Sequence, residues 1–204
     1  MKILPWNITT GCERLTLGCD NCPTYWEYLE DGRDYHPHAH PDRLREPLDN
    51  LEPSVYVVSP GSDLFHEAIR ADFIEEVVDV MTLANWHHFE VIAKRAERLE
   101  SVSNRYLTWP DNVMVGVAVE EAQYNWRIDC LRNVDCRRIV SFGPMTGPIG
   151  EVDLTGIEIA GAVVEYWGPQ PREVDPAWVE DISRQCEEQG VIVGGEHWLC
   201  KETF

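Results

Sequence analysis

Short apolar runs rich in β-branched residues alternate along this chain with longer stretches whose apolar residues recur at helical spacing. Residues 3–8, 54–59, 89–93, 113–119, 138–142, 162–166 and 191–193 read as strands, each bounded by turn-forming or polar residues. Helices are expected near 24–29, 69–82, 96–103, 121–130 and 176–189. The last has the fullest set of signals. Asp175 can cap it, Pro176 suits its first turn, Trp178, Val179 and Ile182 share one face, and Gly190 follows its end.

Strand followed by helix, repeated about six or seven times, is the signature of a parallel α/β architecture. Residues 31–52 break the rhythm. They are rich in Pro, His, Asp and Arg, and a stretch this long without periodicity is an irregular excursion that usually has a purpose. No internal repeat or linker divides the chain, so the expectation is one domain over residues 1–204.

Composition narrows the classes. With 44% hydrophobic and 26% charged residues the chain is an ordinary folding sequence. No apolar run approaches the roughly 20 residues that span a bilayer, and the start has no long apolar segment, so a cytoplasmic protein with no membrane partner is expected. The formal charge of −19 argues against a wide phosphate-gripping surface.

Seven cysteines is an odd number, which in a reducing compartment favours ligands or core residues over disulfides. Cys130, Cys136, Cys186 and Cys200 are scattered and read singly as structural thiols. Cys12, Cys19 and Cys22 are different. They are spaced C-x6-C-x2-C where the first strand gives way to the first helix, and Gly11 and Gly18 free the backbone to turn the thiols inward. Three thiolates leave one position of a 4Fe-4S cube, or of a tetrahedral zinc, without a ligand from this loop. A cube with an open iron can bind the amino and carboxylate groups of S-adenosylmethionine (SAM) and pass an electron to its sulfonium. A structural zinc would need a fourth ligand such as Cys200 or a histidine. The tract His36-Pro37-His38-Ala39-His40 could bind a transition metal, although a solvated or substrate-facing loop is the simpler reading.

Several segments resemble, in order and spacing, a family of bacterial and phage proteins of unknown function that carry a three-cysteine motif and are similar to radical SAM enzymes. They are W-N-x-x-T-G-C with G-C-x-x-C (6–22), S-D-L-F-H-E (62–67), K-R-x-E-R (94–98), N-V-x-x-G-V-x-V-E (112–120), R-x-V-S-x-x-P-x-x-G-P (138–148) and D-P-x-W-V-x-x-I-x-x-Q-C (175–186). The resemblance covers most of the chain. It implies a partial (β/α)6-type barrel, radical SAM-like, with cluster and SAM at the carboxyl ends of its strands. Departures include Pro23 for an aromatic residue, Gly143 for an acidic one, Glu165 in a strand that usually ends glycine-rich, and Gly195-Glu196-His197-Trp198 in place of a Lys-Gln-Trp ending.

Ligands of parallel α/β folds gather at the carboxyl ends of strands. That selects Ser59, Ser62, Asp63, Glu120 and Ser141 as SAM-binding candidates, and Lys94 and Glu165 as catalytic ones, with Arg95 beside them. Each could equally be a cap or a surface polar group. The function expected is a radical SAM enzyme that uses a 4Fe-4S cluster to begin an isomerisation or rearrangement. By association with phages, the expected substrate is a hypermodified thymidine or nucleobase in phage DNA, acted on in the host cytoplasm, with a flavodoxin or ferredoxin as electron donor. The alternatives are a non-catalytic iron–sulfur or zinc module acting with a partner protein, and an acidic interaction protein that mimics nucleic acid.

Overall fold

The computed structural model describes residues 1–165, 167–168 and 170–194. Its principal element is a parallel sheet of seven strands: β1 (Lys2–Trp6), β4 (Ser54–Val58), β5 (His88–Ala93), β6 (Val113–Ala118), β7 (Arg137–Phe142), β8 (Ile159–Ala162) and β9 (Ile192–Val193). They lie side by side in that order and every pairing is parallel. A two-stranded antiparallel ribbon, β2 (Thr9–Thr10) with β3 (His38–Ala39), stands apart from it. The described residues also form six α-helices: α1 (Pro23–Glu30), α2 (Glu46–Asp49), α3 (Ala71–Leu83), α4 (Ala96–Tyr106), α5 (Trp126–Arg132) and α6 (Pro176–Glu188).

Strand order that follows chain order has a consequence. Crossovers of the usual right hand then put the connecting helices on one face, whereas a doubly wound sheet reverses direction and covers both. Contacts between α2 and α3, α3 and α4, and α4 and α5 fit a single helical layer. Under it lies the core, where Phe89 and Val91 of β5, Val113, Val115 and Val117 of β6, and Val140 and Phe142 of β7 pack with Phe73, Ile74, Val77 and Met81 of α3 and Leu99 of α4. The alternate residues point the other way. Val57, Glu90 and Met114 form one cross-strand row on that face, and Ala118 pairs with Ser141 higher up. This second face is the floor of the site.

The expected α/β class is present, with strands and helices near their expected positions. Among the described residues no pairing joins β1 to β9, so the sheet is open. Two elements differ from expectation. The strand expected at 162–166 is formed by Ile159–Ala162, because Gly161 joins the ladder opposite Ser141 instead of ending it. Val163 still donates to Phe142 O at 2.8 Å before the chain leaves the sheet to bury Glu165; Tyr166 lies outside the described residues. The helix expected at 121–130 is a 3-10 turn, Ala122–Tyr124, followed by α5. The excursion at 31–52 is less irregular than its composition suggests, since it carries β3, a 3-10 turn and α2. No helix among the described residues is long and apolar enough to cross a membrane.

A cysteine-lined candidate site at the carboxyl end of the sheet

The loop after β1 is fixed at its start by a buried side chain. Trp6 is fully buried against Phe89 and donates through Nε1 to Arg43 O at 2.9 Å, and Arg43 in turn holds Asn7 O. Gly11, at φ +74°, follows. A β-carbon there would lie 2.1 Å from His36 O, so only glycine lets the loop pass beneath the 35–36 backbone, where Cys12 N donates to Tyr35 O. Gly18 makes a second close approach, with its missing β-carbon 2.9 Å from Glu120 Cγ. Cys22 precedes α1, and Pro23 begins that helix without losing a backbone bond.

All three cysteines line one cavity of about 280 Å³ over the open face of the sheet. Ser59, Ser62, Asp63, Lys94 and Ser141, from the ends of β4, β5 and β7, share its wall. Ser59 and Ser62 are joined to Thr9: the Thr9 hydroxyl lies 2.7 Å from each serine hydroxyl, and Ser62 donates to Thr9 O at 2.8 Å. This network ties the loops after β1 and β4 together. Asp63 accepts from Phe65 N and from Arg95 Nε at 2.8 Å. Burial raises the Asp63 carboxyl above its ordinary range, although Arg95 pulls the other way.

Glu120 is not on the cavity wall but beneath it, fully buried. Its Oε1 is 2.6 Å from Lys94 Nζ and accepts from the Thr16 hydroxyl at 2.6 Å, while Oε2 is 2.7 Å from Arg127 Nη1. Lys94 also donates to Cys19 Sγ at 3.3 Å. Burial opposes charge on both Lys94 and Glu120. Each overcomes it through the other: Glu120 and Cys19 hold the ammonium up, and Lys94 and Arg127 hold the carboxylate down.

A family model described as protein of unknown function (DUF5131) matches residues 4–198. The chain belongs to this family. No curated protein and no solved structure matches it.

The DUF5131 chain does not bring every expected residue to the cavity. Glu165 is buried behind the cysteine loop, where Oε1 accepts from Asn21 Nδ2 and Arg172 N, and Arg172 Nη2 stands 3.2 Å from Oε2. Arg172 Nη2 also reaches Leu17 O at 2.7 Å, so this pair braces the loop. Gly143 explains one departure from the resembling family. A side chain there would meet Val163 O at 2.3 Å, leaving no space for an acidic residue. The histidine tract does not converge: His36 and His38 are exposed with their rings edge to face, and His40 turns to the Thr10 hydroxyl. Cys200, His197 and Trp198 lie outside the described residues.

Other site residues had weak sequence signals. Tyr35 comes from the aperiodic excursion, yet it lines the cavity and its hydroxyl lies 3.8 Å from Cys22 Sγ. Burial, with Cys22 and Cys12 nearby, raises its phenol. Glu90 lines the floor from mid-strand, and Arg127 is buried in a helix whose pattern gives no hint of an ion pair. Among the described residues, no three His, Cys, Asp or Glu side chains form a ligand group for a single ion. Cys19 and Cys22 nonetheless lie near enough to Cys12 to add to the burial and the Asp63 charge that raise its thiol.

Proposed function

We propose that this DUF5131 protein is a radical SAM enzyme built on a partial (β/α) barrel, with Cys12, Cys19 and Cys22 as the ligands of a 4Fe-4S cluster. One observation carries the reading: three cysteines from an eleven-residue loop and polar side chains from several strand ends share the wall of one cavity above a singly wound parallel sheet. The donor set suits the group. Three thiolates of a cube bind three different irons and leave the fourth open, so their sulfurs need not converge on a point. A single zinc at about 2.3 Å from each sulfur would draw any two within about 4.6 Å.

The cluster and SAM together would supply one-electron chemistry and a hydrogen-abstracting radical. This chain's residues do the rest. Leu15, Ile92, Ala93, Ala118, Val163 and Trp167 give the cavity apolar walls that keep water from a reactive species. Asp63 and Ser141 are the wall groups suited to the ammonium and hydroxyls of SAM. Ser59 and Ser62 hold the cysteine loop against β4, and Glu165 with Arg172 braces it from behind. The substrate class proposed is a modified nucleobase undergoing rearrangement. Lys94 is the sole basic residue among the described lining residues and is engaged by Glu120, which favours a base or nucleoside over a phosphate backbone. A small electron-transfer protein such as a flavodoxin or ferredoxin would reduce the cluster.

Anaerobic reconstitution with iron and sulfide, followed by electron paramagnetic resonance (EPR) of the reduced protein, tests the proposal. The expected result is a four-iron signal that changes when SAM is added and is lost in Cys12→Ala. Stoichiometric zinc with no cluster signal would replace this reading with that of a structural module.

A further inference from the structure

We infer that Lys94 is a tuning residue that acts through Cys19: its ammonium, hydrogen-bonded to Cys19 Sγ, raises the reduction potential of the cluster. The inference rests on the radical SAM reading and goes beyond it by giving Lys94 a role other than contact with substrate. The geometry that supports it is specific to one cysteine. Lys94 Nζ is 3.3 Å from Cys19 Sγ, whereas the polar neighbours of Cys12 and Cys22 are Glu13 O and the Tyr35 hydroxyl.

Lys94 would count for little if Glu120 simply cancelled its charge. It does not stand alone with Glu120. Arg127, only 4% exposed, takes the second carboxylate oxygen at 2.7 Å and also donates to Ala118 O. Arg127, Glu120 and Lys94 therefore sum to one positive charge, with the ammonium at the cysteine end. Thr16 donates to the same Glu120 oxygen that Lys94 contacts, and Gly18 lies against the Glu120 side chain, so the loop carrying Cys19 is seated on this assembly. Reduction adds negative charge to a cluster. A fixed cation and a hydrogen bond at one of its sulfurs stabilise the reduced form, and both are recognised levers on iron–sulfur potentials.

The test is a redox titration of the reconstituted protein followed by EPR, with iron and sulfide content measured in each sample. Lys94→Met removes the charge and the donor, Lys94→Gln removes the charge and keeps an N–H donor on a side chain one atom shorter, and Lys94→Arg keeps both. In Lys94→Met the reduced-to-oxidised ratio at a fixed potential is expected to fall at least tenfold, a downward shift of about 59 mV for one electron. Lys94→Gln should fall between, and Lys94→Arg should recover most of the wild-type value. A fully loaded Lys94→Met or Lys94→Gln protein with the wild-type midpoint overturns the inference while leaving the radical SAM reading intact. A wild-type protein that forms no cluster overturns both, and the two failures are told apart by the wild-type sample alone.

Discussion

Lys94 and Arg95 are neighbours at the end of one strand, yet they serve opposite flanks of the cysteine loop under opposite electrostatic conditions. On the Cys19 flank, Lys94 joins Glu120 and Arg127, an assembly with net charge +1 whose carboxylate has no exposed surface. On the Cys12 flank, Arg95 meets three carboxylates: Asp63 at 2.8 Å, Glu67 at 3.0 Å and Glu13 at 3.1 Å. That flank sums to −2. Glu13 and Glu67 are 67% and 61% exposed, so water weakens their share. Identical loop chemistry thus meets two environments, and the cysteines differ accordingly.

The largest effect that this contrast implies is on stability. Glu120→Ala would strand Lys94 and the buried Arg127 without their counter-ion. Removing one partner of a buried pair costs about 3–5 kcal/mol, because the remaining charge stays desolvated. Urea unfolding of the variant should show a loss of that size. A loss below about 1 kcal/mol would mean that the Cys19 flank is as wet as the Cys12 flank, and the contrast would fail.

The second effect is on the thiols of the cluster-free protein. Burial pushes Cys12 up from 9.0 to about 12, and the Asp63 charge adds to it. Burial acts in the same direction on Cys19, but Lys94 and hydrogen bonds with the backbone of Leu15 and Thr16 outweigh it and leave Cys19 below 9.0. At pH 8, alkylation followed by peptide mass analysis should therefore modify Cys19 at least about tenfold faster than Cys12, since the thiolate is the nucleophile. The signs of the stability contributions are also opposite. The Cys12 contribution is complete below pH 9.0 and is lost as pH rises toward about 12, whereas the Cys19 contribution is present above 9.0 and is lost as pH falls through its lowered value. Equal labelling rates would remove the proposed role of Lys94 in distinguishing the two.

Much of this arrangement is legible in the sequence, for reasons that can be named. The sheet is readable because its strands are short, β-branched and separated by helical periodicity, and the site's location follows once the strands are parallel. The cysteine loop is readable because Gly11 and Gly18 flank thiols at short spacing. What spacing does not encode is where a long side chain points. Lys94, Glu120 and Glu165 all follow strand ends, yet only Lys94 lines the cavity, while Glu120 turns beneath it and Glu165 turns behind the loop. Tyr35 is hidden for a related reason: it lies in the aperiodic excursion, and only the fold brings its backbone carbonyl to Cys12 N, 23 positions earlier in the chain. Arg127 lies on a helix where a charged residue ordinarily means solvent, and only the fold buries it.

The smallest effect belongs to the exposed arm of the Cys12 flank. Glu67→Gln removes one of the three carboxylates around Arg95 but leaves Asp63, which is 7% exposed and bonded through Arg95 Nε. Glu67 is mostly in water, so its ion pair is worth at most about 1 kcal/mol and is screened by salt. Urea unfolding should therefore change by no more than that, and the change should shrink in high salt. A loss as large as that of Glu120→Ala, persisting in high salt, would mean that Arg95 depends on all three carboxylates as one unit. The Cys12 flank would then be as tightly coupled as the buried Cys19 flank, and net charge alone would remain to account for the difference between the two cysteines.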